Sequence, residues 1–130
     1  MEKTINIDGK DIRFRTTARV SMRYKEYLGR EMMPDLMNMV PMIMKLQPLE
    51  NIDEVEDLPL NAFDGVSFDT IYRLAWVYAK TADDSTPDIG TWLDGFTEFP
   101  VIDVAAELMP LIKSSISISK KMNLSNLPET

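Results

Sequence analysis

Any catalysis by this chain would have to run on carboxylates, lysines or tyrosines. Its 130 residues include no histidine and no cysteine. The commonest general base is therefore missing, along with the thiolate nucleophile and the preferred soft metal ligands. The acids come nearest to a metal site in "DEVED" (53–57) and "DDSTPD" (83–88). A calcium loop needs Asp or Asn at alternate positions, Gly at the sixth and Glu at the twelfth, and neither stretch has that order. No phosphate-cradling glycine loop follows a strand. The sequence thus offers no catalytic residue, no cofactor-binding residue and no metal ligand, and it reads as a protein that is not an enzyme.

Two surface chemistries remain. The first is methionine. "EMMPDLMNMVPMIMKLQP" (31–48) holds six of the ten methionines. At helical spacing Leu36, Met39, Val40, Ile43 and Leu46 form one apolar face, and Met33, Met37 and Met44 form a second beside Pro41. A surface helix normally carries one apolar stripe. Thioether chains fill irregular gaps in a core, and they also make adaptable surfaces for partner helices, so both readings stand at this point. Pro41 lacks an amide donor and crowds the carbonyl four residues back, which predicts a kink or a split there.

The second chemistry is charge. Net charge is −7, which disfavours binding along a phosphate backbone. Residues 1–30 carry eight bases against four acids, a balance of +4, and the remainder carries six against seventeen, a balance of −11. Such a chain is complementary to copies of itself. Arg19, Arg23 and Arg30 are the candidate cations for a head-to-tail homo-oligomer, and Glu50, Asp53, Glu54, Glu56 and Asp57 are the candidate anions. Heterologous contacts of that kind close into rings or run on as filaments.

The elements that must position these side chains can be read from turns and periodicity. "KTINIDGKDIRFR" (3–15) predicts a β-hairpin about Asp8-Gly9, the dipeptide suited to a type I′ turn. Alternation then puts Ile5, Ile7, Ile12 and Phe14 on one face. Residues 16–29 predict a basic helix capped by Thr16 or Thr17 and closed by Gly29, with Val20, Tyr24, Tyr27 and Leu28 as its stripe. The methionine helix follows, closed by Pro48. Residues 48–65 predict an acidic connection. Residues 67–83 predict a central helix capped by Ser67. Residues 85–96 predict a short helix with Thr86 as cap and Pro87 at its first position, held to the core by Trp92. Residues 99–122 predict a last helix kinked at Pro110, with "SISIS" (115–119) alternating like a strand.

The expected fold is mainly α (α+β), a single domain of residues 1–122 in which the N-terminal β-hairpin packs on a bundle of about five helices. Residues 123–130 are expected to be a frayed tail. Ile5, Ile12, Phe14, Tyr24, Ile71, Ala75, Trp92, Leu93 and Leu108 are the expected core. No basic-then-apolar leader opens the chain and no apolar run approaches the ~18 residues of a membrane span, so neither membrane nor nucleic acid is expected as a partner.

The order of hairpin, basic helix, apolar helix, long connection, aromatic helix and Trp-bearing helix resembles the tail assembly chaperones of siphophages and prophages of Gram-positive bacteria. "INIDGKDIRFRTTAR", "LAWVYAKTADDSTPDIGTWLDGF" and "AAELMPLIKSSIS" carry the likeness. It implies a small, mainly helical, non-enzymatic protein of the host bacterial cytoplasm. Such a protein binds the tape measure protein and keeps it soluble while the tail tube assembles, with the major tail protein as a second candidate partner. It is absent from the mature virion. The alternative from another class is a small acidic cytoplasmic regulator, an antitoxin or an inhibitor of a basic target.

Overall fold

The computed structural model describes residues 1–46 and 64–125. Among the described residues two strands and five helices follow in order: β1 (Glu2–Ile7), β2 (Lys10–Arg15), α1 (Val20–Leu28), α2 (Met32–Leu46), α3 (Phe68–Ala82), α4 (Ile89–Asp94) and α5 (Val101–Ser125). The fold is mainly α with an N-terminal β-hairpin. The acidic stretch from Glu50 to Asp57 lies outside the described residues.

The hairpin has the register expected from its turn. Ile5 pairs with Ile12, Lys3 with Phe14 and Ile7 with Lys10, and Asp8 and Gly9 both have positive φ, 55° and 77°, as a type I′ turn requires. Ile5, Ile7 and Phe14 are buried. A lone hairpin cannot bury that face by itself; β2 lies along α3 and β1 against α5. Among the helices, α3 is the most enclosed, with eight buried residues including Ile71, Leu74, Trp76 and Tyr78. The residue after β2 and helix α3 join α5 through buried hydroxyls as well: Thr16 and Tyr78 each meet Ser115 at 2.9 Å, and Ser115 donates to the Leu111 carbonyl.

Several local expectations are corrected. Thr16 does not cap α1, because its hydroxyl is used on Ser115. Thr17 accepts from the Arg19 amide at 3.3 Å through its hydroxyl and from the Val20 amide through its carbonyl, in the turn just before the helix, which starts at Val20 behind Arg19. Gly29 does close α1, at φ 70°. Tyr27 is exposed, leaning edge-on against Trp76 with Lys80 over its ring. Pro41 does not split α2, which is one helix of 15 residues. The ring faces solvent, and the buried residues on either side, Met39, Met42 and Ile43, hold the helix by packing.

Ser67 precedes α3 without a side-chain cap, and Phe68 is exposed. Asp88, not Thr86, caps α4 by accepting from the Thr91 amide. The Thr86 hydroxyl instead donates to the carbonyls of Ala79 and Asp83 at the end of α3. Hydrogen bonds from Thr91 hold the Asp88 carboxyl below the usual carboxylate range. "SISIS" is helical, and α5 continues to Ser125, three residues into the stretch expected to be tail. Of the expected core, Ile12 and Leu93 are only partly buried and pack against it from outside; the other seven are buried.

Candidate protein-binding face on the second helix

Helix α2 divides its methionines evenly. Met32, Met39 and Met42 are buried; Met33, Met37 and Met44 are 40%, 42% and 68% exposed. The buried row is Met32, Asp35, Leu36, Met39, Met42 and Ile43, turned slightly from the expected one, so Val40 sits half-buried at its margin. The methionine segment is therefore core filler on one side and surface on the other.

The turn of the helix that fixes this orientation carries a buried acid that sequence reasoning missed. The Asp35 side chain is 4% exposed. Arg30 Nη2 donates to its Oδ1 at 2.8 Å and Arg73 Nε to its Oδ2 at 3.1 Å. The Tyr24 hydroxyl donates to the same carboxylate, and Arg73 also reaches Thr70 Oγ1 at 3.2 Å. A buried carboxylate is tolerated only when paired and hydrogen-bonded. Asp35 has that from α1, from the α1–α2 corner and from α3 together. Burial, reinforced by Asp35, raises the Tyr24 hydroxyl well above its usual range, so it stays a donor at any ordinary pH. The signal was available: Asp35 falls three residues after Met32 and four before Met39, in the buried row. An acid in that row requires a cation; α3 carries two, Arg73 and Lys80, and the fold brings Arg73 to it.

With Asp35 turned inward, the outward face of α2 has no charged side chain from Met33 to Met44. It presents Met33, Pro34, Met37, Pro41 and Met44, with Asn38 and Val40 half-buried. Asn38 is committed to the chain that follows, donating to the Gly65 carbonyl at 3.0 Å and accepting from the Ser67 amide. At the N-terminal end of this face, where α1, α2 and α5 meet, Met33 lines the mouth of a crevice of ≈ 240 Å³. Exposed Met22 lies in the adjoining depression on α1.

The candidate self-association residues are dispersed. Arg19 is exposed and makes no ion pair among the described residues. Arg23 is turned inward, 13% exposed, with Nη1 on Asp84 at 2.9 Å. Arg30 is spent on Asp35. The five candidate anions, Glu50, Asp53, Glu54, Glu56 and Asp57, lie outside the described residues. No group of three or more acids that could hold a metal ion occurs among the described residues, and no described helix is long and apolar enough to cross a membrane. Comparison of the chain with models of protein families, with curated proteins and with solved structures gives no match.

Proposed function

We propose that this protein is a phage tail assembly chaperone. It binds the tape measure protein in the host bacterial cytoplasm, keeps it soluble during tail tube assembly, and is left out of the virion. One observation carries the reading: Met33, Met37 and Met44 stand exposed on a helix whose opposite face is anchored in the core. A tape measure protein is a very long helical chain with exposed apolar stripes, as the resemblance implies. Flexible thioethers on a rigid helix can cover many different stretches of such a chain, because each methionine adapts its rotamer to the side chain it meets. The hairpin and helix order support the same reading through the sequence likeness.

The test is co-expression with a tagged tape measure protein. The variant carrying Met33→Gln, Met37→Gln and Met44→Gln should lose co-purification while its Tm stays close to wild type, since all three side chains already face water. Failure of the wild-type chain to co-purify, or to raise the soluble fraction of the tape measure protein, removes the reading.

A further inference from the structure

The apolar positions on the outward face of α2 are Met33, Met37, Val40 and Met44, and their spacing is four, three, four. That is the seam spacing of a helix that packs against another helix, knobs entering holes every 3.5 residues on average. Pro34 and Pro41 flank the seam on its outer side and add no charge. The seam runs into the crevice at Met33. Val20 of α1 forms one wall of this crevice, and Met32 and Leu36 form its buried floor. A cavity of about 150 Å³ accepts a benzene ring; this one, at ≈ 240 Å³, has room for a phenyl or leucyl side chain.

We infer that the outward face of α2 is the seat for a single amphipathic α-helix of a partner protein, and that the crevice beside Met33 takes one large apolar side chain from the end of that helix. The inference rests on the reading of this face as the partner-binding face and adds the spacing of the seam and the anchor of the partner helix. Size argues against a stable dimer through this face, because a second copy would have only this one seam to bury. From Met33 to Met44 the seam is roughly 16 Å long on a helix about 10 Å wide, several times smaller than the ~800 Å² per partner of a stable complex. It suits one short contact, repeated by many copies along a long helix. Charge agrees. The seam is neutral on a chain of net charge −7, and Glu31 at the crevice is neutralised by Lys25 at 2.7 Å. Association through it should therefore be indifferent to salt, unlike a contact built on ion pairs.

The probe is a designed, fluorescently labelled three-heptad helical peptide with leucine at its seam positions and phenylalanine at the terminal one. It is titrated against the full chain and followed by anisotropy. Peptides with the phenylalanine at either end cover both helix directions. Replacing that phenylalanine with alanine should weaken binding about tenfold. Met37→Gln with Met44→Gln should weaken both peptides alike. Ala18→Phe, at an exposed position on the crevice wall, should plug the crevice and abolish the difference between the peptides without altering the fold. Raising the salt should change none of these ratios.

Three results overturn the inference: no binding, equal binding of the two peptides to the wild-type chain, or a dimer that Met37→Gln dissociates, which would make a second copy the occupant. The peptide contains no tape measure sequence. Peptide binding without tape measure co-purification would remove the proposed function and keep the seam; the converse would remove the seam and keep the function.

Discussion

Arg73 and Asp35 meet at the edge of the core, Nε to Oδ2 at 3.1 Å, and the contact fixes the first turn of α2 against α3. The carboxylate is 4% exposed and the guanidinium 20%, so the pair is largely but not wholly withdrawn from water.

Removing the acid leaves Arg73 and Arg30 without their shared partner, and Tyr24 without its acceptor. Loss of one member of a fully buried pair costs ~3–5 kcal/mol. With Arg73 partly hydrated, Asp35→Ala should cost about 2–3 kcal/mol in urea unfolding. A double-mutant cycle with Arg73→Met checks the coupling: the double variant should be less destabilised than the sum of the singles. Additive effects would show that the pair does not act as a unit.

Burial raises the hydroxyls of Tyr24 and Tyr78 above the ordinary 10.0. A folded-state value above the unfolded one means the native state prefers the neutral phenol. That preference contributes fully below pH 10 and is lost as pH climbs above it. Stability should therefore decline in the alkaline range, and tyrosinate absorbance should include a step that coincides with loss of helical circular dichroism. Ionisation of all four tyrosines ahead of unfolding, with no step at the loss of helicity, would contradict the buried placement.

Trp92 is 8% exposed and packs edge-on against Phe14, Phe96 and Phe99, with ring centroids 5.2–6.5 Å apart. It holds α4 to the hairpin, together with Lys10 Nζ on the Gly95 carbonyl at 2.6 Å. Trp92→Ala should cost ~3–5 kcal/mol, measured by chemical denaturation. A loss below about 1 kcal/mol would mean that α4 contributes little to the fold.

For self-association, Arg19 is the informative cation, because Arg23 and Arg30 are engaged within the molecule. If head-to-tail assembly occurs, light scattering at low salt should show a mass that rises with concentration and falls when salt is added or Arg19 is changed to Glu. Arg23→Glu should instead lower Tm, since it places an acid against Asp84. A chain that stays monomeric at low salt and high concentration eliminates the head-to-tail model.

The hairpin was legible to the residue, because an Asp-Gly turn dictates the register and the register dictates the face. The central helix and its short Trp-bearing neighbour were legible from periodicity. Helix starts were legible at α3, where Ser67 holds the N-cap position without a side-chain bond, and not at α1 or α4. Thr16, Ser67 and Thr86 all look like caps, and the hydroxyls of Thr16 and Thr86 are used for distant or backward contacts that no local rule contains. The exposed trio Met33, Met37 and Met44 came from spacing alone. The Asp35 cluster did not, because its four participants come from segments up to 49 residues apart, and composition says nothing of which cation will meet which acid. Whether α2 splits at Pro41 was left open for a related reason: proline's local cost is fixed, while the packing that offsets it belongs to the whole fold.

The hydroxyls of Thr16 and Ser115, 2.9 Å apart, are separated by 99 positions in the chain. That separation has a consequence in time. A hairpin closes in microseconds, whereas a ribosome adds ~5–20 residues per second. Between synthesis of β2 and of the part of α5 that covers β1, roughly 5–20 s elapse. Throughout that interval Ile5 and Ile7 lack their native cover. The nascent chain is itself an aggregation hazard until its last helix arrives, and termination before Val101 would leave that hazard permanent.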